Sequence, residues 1–339
     1  MPEIYVVVLA GGCGQRLWPL SSKKRPKQFI PFVGQKTLIE LALERALLLV
    51  KDTKHIVVVT NNLYRELLLQ TCGDVFGHVI YEPVGRNTAP AVLRACLYID
   101  KIDSEAMVIV IPADHFIPDK VQFVSTVNEM VSFTEQHEVI GLLGLLPTFP
   151  ATGYGYIQRS VQTIDQNNPI YAVEKFHEKP NLQTAEFYLA AGDMLWNIGL
   201  FIGRGAVIVA EFRRHAPTVY AGVHDYLVGA REYADVPNIS IDIAVMEKSN
   251  NVVVSRANFE WYDVGSLETF VSVMTVYGDV SSKLISLQGE NNIAYTTKKV
   301  VVCVDTNNLC IIETNDEIII FDRQKTNGIK SLEFMHNKK

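Results

Sequence analysis

The chain has 339 residues, enough for one large domain and a smaller one, and its 48% hydrophobic and 20% charged residues are those of an ordinary globular protein. A net charge of −6 excludes an extended nucleic-acid surface, and the longest apolar runs, such as 139–146, are too short to cross a bilayer. Neither nucleic acid nor a membrane is therefore an expected partner. Glu3 and the lack of a basic stretch ahead of the first apolar run argue against a secretory leader. Five cysteines, scattered at 13, 72, 96, 303 and 310, suggest reduced thiols and a cytoplasmic location, with no disulfide framework or CxxC metal pair.

In chain order, residues 4–9 form a short β-branched run that reads as a buried strand. Gly11, Gly12 and Gly14 follow at once, with Arg16 beyond them and a basic cluster of Lys23, Lys24, Arg25 and Lys27. Glycines in such a loop let backbone N–H groups approach a ligand and form a concave nest for phosphate oxygens. The P-loop spacing is absent. The dinucleotide fingerprint also fails, because Leu17 stands where its third glycine would close the helix onto the strand. A helix is expected over 37–50, opened by a capping box of Thr37 and Glu40. Strands are expected at 56–60, 79–81 and 107–111, and Thr88 is a candidate cap for a helix with Pro90 in its first turn. This alternation predicts an α/β fold with a Rossmann-like, mixed but mostly parallel sheet covered on both faces. Ligands of such sheets bind at the carboxyl ends of strands, where the glycine loop, residues 82–87 and Asp114 all fall. From 139 to 265 strands and helices mix without regular alternation. Beyond 280, short runs at 293–295, 300–304, 309–313 and 318–322 predict a small all-β module, and 330–339 reads as a loose tail.

LAGGCGQRLWPLS followed by PKQF, then EPVGRNTAPA, PADH, TGYGYI, FHEKP, LWNIGLF, SIDIAVMEK and WYDVGS, resembles in order the signature blocks of sugar-phosphate nucleotidyltransferases. The similarity is specifically to the mannose-1-phosphate guanylyltransferases, over roughly the first 270 residues. It implies a catalytic domain over 1–275, a short left-handed β-helix over 280–330 used in homodimer contacts, and a tail over 331–339. It also implies transfer of GMP from GTP to mannose 1-phosphate with Mg²⁺ as cofactor. Longer members carry an isomerase domain after the β-module; this sequence has no His-rich cupin pattern, so isomerase activity is not expected. Two alternatives stay open: a guanylyltransferase for a heptose or fucose 1-phosphate, and a non-catalytic subunit that senses GDP-mannose.

The resemblance also suggests roles. Leu9, Ala10, Gly11, Gly12 and Gly14 would line the nucleotide, with Arg16 and Lys27 on its β- and γ-phosphates. Asp114 and Asp263 would hold the magnesium, which favours one or two carboxylates beside phosphate oxygens and water. His115 is read as structural, because the attacking phosphate is already ionised and needs no base. Glu82 can accept the adjacent N1–H and amino donors of guanine, with Arg86 and Asn87 positioning ribose or phosphate. Gly153, Tyr154, Glu178, Lys179 and Asn197 would form the sugar-phosphate pocket, and Trp196 and Phe201 are assigned to the core.

Overall fold

The computed structural model describes residues 2–12, 14, 17–165, 169–278, 283–296, 298–314 and 316–323. Arg16, Cys13 and the expected tail lie outside these residues. The strands are β1 (Ile4–Ala10), β2 (Ile56–Asn61), β3 (His78–Glu82), β4 (Met107–Pro112), β5 (His115–Phe116), β6 (Ile140–Leu145), β7 (Tyr156–Asp165) and β8 (Ile170–His177). After these come β9 (Met194–Arg204), β10 (Val252–Arg256), β11 (Tyr262–Asp263), β12 (Leu284–Leu287), β13 (Ile293–Tyr295), β14 (Val301–Val304), β15 (Leu309–Glu313) and β16 (Ile318–Asp322). The helices are α1 (Leu38–Leu47), α2 (Arg65–Cys72), α3 (Thr88–Asp100), α4 (Lys120–Gln136), α5 (Leu182–Ala191), α6 (Gly205–His215), α7 (Pro217–Leu227) and α8 (Leu267–Tyr277). The chain divides into two compact units, the first made of 1–11, 42–113 and 117–261, the second of 12–41, 114–116 and 262–339.

The first unit is built on a nine-stranded sheet in the order β3-β2-β1-β4-β9-β6-β10-β8-β7. Pairing is parallel through β3, β2, β1 and β4, as the strand-helix alternation predicts. The other half is mixed: β9 runs antiparallel to β4 and β6, and β7 and β8 form an antiparallel pair. Strands β1, β2 and β4 are apolar on both faces, which only a sheet covered on both sides can bury. Val7, Val57, Val59, Val108 and Val110 pack with residues of α3, α6 and α7 in one core cluster. On the opposite face of β6, Gly141 leaves room for Met130 of α4.

The order β2-β1-β4 reverses the direction of winding at β1, so the carboxyl ends of β1 and β4 lie side by side at a topological switch point. The Ala113 N–H donates to the Leu9 carbonyl at 3.0 Å, which joins those two ends.

The second unit has its own core, in which Leu17, Phe32 and Leu38 pack with Phe116, Val264, Phe270, Cys310 and Ile312. The loop segment 17–41 therefore shares a core with α8 and with β15. Strands β12 and β14 pair in parallel, as do β13 and β15, with partners 17 residues apart. These are two stacked coils of a helical β-module, and β16 closes the second sheet by pairing antiparallel with β15. The expected runs are present, and β12 is a further strand that the sequence reading omitted.

One local expectation is corrected. The capping box at α1 forms: the Thr37 N–H donates to Glu40 Oε2 at 2.7 Å, and the Glu40 N–H faces Thr37 Oγ1 at 3.4 Å. At α3, however, the cap is Asn87, whose Oδ1 accepts from the Thr88 N–H at 2.9 Å. Asn87 has φ 63°, a left-handed conformation that asparagine tolerates better than threonine. Thr88 instead accepts from the Ile241 N–H at 2.9 Å and ties α3 to the segment after 239.

Candidate active site

The candidate residues divide between the two units. In the second, the glycine loop is strapped to the segment that carries Lys27. The Gln28 side chain donates to the Gly12 carbonyl at 3.0 Å, and Ser21 Oγ donates to the Gly14 carbonyl at 2.6 Å. Gly14 has φ +67°, and a side chain there would lie 2.7 Å from the Lys27 backbone nitrogen. Glycine is required at this position by both conformation and space. Lys23, Lys24 and Arg25 are exposed, whereas Gln28 is buried. Gln28 is a supporting residue that sequence reasoning missed, although it sits inside the quoted PKQF block.

Lys27 Nζ lies 2.5 Å from Asp114 Oδ2 and 3.4 Å from the Val264 carbonyl. Burial pushes the Asp114 carboxyl up, but the Lys27 ammonium and then His115 outweigh it and hold the acid well below the usual carboxylate range. Strand β5 pairs with β11 so that His115 faces Asp263, and the Val264 N–H donates to the Asp114 carbonyl at 3.2 Å. Asp114 and Asp263 thus stand on neighbouring segments. Gly265 leaves the Asp263 carboxylate room, since a Cβ there would approach its Oδ1 to 3.1 Å. Among the described residues no three His, Cys, Asp or Glu side chains cluster as a closed metal site. His115 is buried in β5.

In the first unit, Glu82 ends β3 and is 3% exposed. Its Oε1 accepts from the Tyr233 hydroxyl at 2.5 Å, and a side chain on Gly11 would come within 3.2 Å of its Oε2. Desolvation raises the Glu82 pKa, while the Tyr233 hydrogen bond and the Arg94 charge oppose that rise. Ala10 is anchored by Thr60, whose hydroxyl donates to its carbonyl at 2.9 Å. Arg86 Nε is buried without a hydrogen-bond partner, and Asn87 caps α3.

The sugar-phosphate candidates also converge within this unit. Lys179 Nζ pairs with Glu178 Oε1, and the Asn197 N–H donates to the Gly155 carbonyl at 2.8 Å. A Cβ on Gly155 would lie 2.9 Å from Glu178 Oε2 and 3.4 Å from Asn197 Cβ, so glycine lets three motifs meet. Tyr154 packs edge-on against Trp196, and Gly153 has open space at its Cα. Trp196 and Phe201 are buried, as expected.

Asp242 belongs to the same group but was not singled out from the sequence. It accepts from Asn197 Nδ2 at 3.0 Å, while Glu247, five residues on, accepts from the Glu178 N–H at 3.1 Å. Burial first, and the Glu178 carboxylate next, push Asp242 from its ordinary 3.8 up to about 7. A carboxyl with a raised folded-state pKa stabilises the fold below its unfolded value and loses that stabilisation as pH rises through the folded value. Asp242→Asn, which keeps the oxygen that Asn197 contacts, should gain thermal stability relative to the parent between pH 4 and 7. The expected relative gain in Tm is about 2 °C or more. A difference in Tm that stays flat across this range would contradict the assignment.

Cys72, Cys96, Cys303 and Cys310 are buried and form no disulfide, and burial pushes the thiols of Cys96 and Cys310 up to about 12. Cys96 and Cys310 are therefore poor nucleophiles.

Residues 5–280 match the family model for nucleotidyl transferases. Xanthan biosynthesis protein XanB of Xanthomonas campestris is 33% identical over 98% of this chain and 73% of its own length. Mannose-1-phosphate guanylyltransferase of Escherichia coli K12 is 32% identical over 97% of this chain and 73% of its own length. A crystal structure named as a mannose-1-phosphate geranyltransferase, from Thermus thermophilus, aligns with a TM-score of 0.84 at 29% identity and covers 99% of both chains. The chain belongs to the nucleotidyl transferase family, in the group that contains the mannose-1-phosphate guanylyltransferases.

Proposed function

We propose that the protein transfers the GMP group of GTP to α-mannose 1-phosphate, giving GDP-mannose and pyrophosphate. The observation that carries this reading is the Lys27–Asp114 pair beside Asp263, with Lys27 packed against Gly14 of the glycine loop, in a chain whose relatives carry that name. In this reading an oxygen of the sugar phosphate attacks the α-phosphorus of GTP and forms the new P–O bond. The bond to the β-phosphate oxygen breaks, and its electron pair leaves with pyrophosphate. The nucleophile is already an anion, so no base is needed.

Leu9, Ala10, Gly11, Gly12 and Gly14 would line the triphosphate, with Arg16 and Lys27 neutralising the leaving pyrophosphate. Glu82 would accept from guanine, with Arg86 and Asn87 near the ribose or phosphates. Lys179 would meet the sugar phosphate, while Glu178, Asn197, Tyr154 and Gly153 hold the sugar. Asp114 and Asp263 fit a hard cation with oxygen ligands: both are carboxylates, Asp114 is held ionised, and no closed three-residue site occurs among the described residues. That set suits Mg²⁺, which takes few protein ligands and completes its shell with phosphate oxygens and water. When bound, the ion would withdraw charge from the phosphates.

A homodimer and a cytoplasmic location are part of the same proposal. No helix among the described residues is long and apolar enough to cross a membrane. Ile285, Leu287, Val302 and Val304, about half exposed, stand in register on β12 and β14, an apolar strip suited to a second copy. Sedimentation of the protein should give the mass of a dimer, and Ile285→Lys with Val302→Lys should give a monomer. A monomeric parent protein would reject this interface.

Pyrophosphate release with GTP and a panel of sugar 1-phosphates tests the reaction. Turnover should be greatest with mannose 1-phosphate. Tight binding of GDP-mannose without turnover would instead indicate a non-catalytic subunit.

A further inference from the structure

Glu82 is held from behind by two residues that none of the sequence blocks marks for a role. Tyr233, on the short turn Tyr233–Asp235, is 1% exposed and donates its hydroxyl to Glu82 Oε1. Arg94 of α3 lays its guanidinium over the Tyr233 ring at 4.9 Å and over the Tyr226 ring at 5.2 Å. It also donates to the carbonyl of Tyr81, the residue just before Glu82, at 3.2 Å. One carboxylate oxygen is thereby committed. The other, Oε2, faces the space left by the absent side chain of Gly11.

We propose that Tyr233 and Arg94 are positioning residues for nucleobase selection, which fix the Glu82 carboxylate so that Oε2 is the acceptor offered to the base. This rests on the assignment of Glu82 to the base. A fixed anionic acceptor suits guanine, whose N1–H and amino group are donors, and opposes adenine, whose N1 is itself an acceptor. Among the described residues, the charged and titratable groups that act on Glu82 are Tyr233 from its turn and Arg94 from α3, with Tyr226 of α7 stacked behind. The Tyr233 hydrogen bond and the Arg94 charge oppose the effect of burial on Glu82. Without them the carboxyl takes up a proton at higher pH and presents a donor where guanine needs an acceptor.

The test is Tyr233→Phe and Arg94→Gln in the full-length protein, with kcat and KM measured for GTP and ATP from about pH 6 to 9. For each variant KM for GTP should rise about tenfold with kcat little changed. The preference for GTP over ATP should fall by a similar factor, and the weakening of GTP binding at low pH should begin at a higher pH than in the parent. A purely structural role would lower Tm and leave both the base ratio and the pH profile unchanged, which would overturn the proposal. If Tyr233→Phe does not fold, Arg94→Gln decides. Glu82→Gln run in parallel separates the two failures. If it changes the base ratio and the other variants do not, the positioning role is wrong. If it leaves the ratio unchanged, the base assignment fails and the proposal falls with it.

Discussion

Asp114→Asn should lose turnover by about 10²–10³-fold or more, with a fold that survives. The substitution keeps the shape of the side chain and removes its charge. Two consequences follow from the geometry. A carboxylate held ionised by the Lys27 ammonium is replaced by a neutral amide, a poor ligand for a hard cation. Lys27 also loses its carboxylate partner, so its charge is no longer directed by Asp114 and the local structure loses about 1–3 kcal/mol. Asp263→Ala should cause a comparable loss of rate. Rates measured against Mg²⁺ concentration check both variants. An Asp114→Asn protein that saturates with Mg²⁺ and turns over within tenfold of the parent would remove Asp114 from the site.

The second large effect is at Glu82. Glu82→Gln should reduce kcat/KM for GTP by roughly 10²-fold, about 2.7 kcal/mol, while other nucleotides are far less affected. The amide can still accept the Tyr233 hydroxyl through its oxygen, so the fold behind it is retained. Its nitrogen, however, would present a donor to the guanine donors, and a buried mismatch of that kind is expensive. Equal specificity constants for GTP in parent and variant would place base selection elsewhere.

Much of this was legible in the sequence because it is written in local patterns. The β-branched run before Gly11 gives β1, and Thr37 with Glu40 gives the start of α1, since a capping box is a contact over three residues. The ordered blocks located the candidate residues, and the structure brings Glu178, Lys179, Asn197 and Gly155 together. What was illegible depends on contacts across long stretches of chain. Tyr233 sits in a polar segment without helical or strand periodicity, and its partner Glu82 is 151 residues away. Asp242 reads as one polar residue at the start of an apolar run; only burial in the fold, and then the Glu178 carboxylate, raise its pKa. Strand β12 was overlooked because its pattern is short and half exposed, and its parallel partner lies a full coil further on. The antiparallel entry of β9 between β4 and β6 likewise leaves no mark in local periodicity.

The most direct test is product analysis of the purified protein with GTP, mannose 1-phosphate and Mg²⁺. GDP-mannose and pyrophosphate should accumulate in equal amounts, and neither should form when the sugar phosphate or the metal is omitted. Pyrophosphate released with GMP in place of GDP-mannose, or no turnover at all, would contradict the assignment of this chain as a guanylyltransferase.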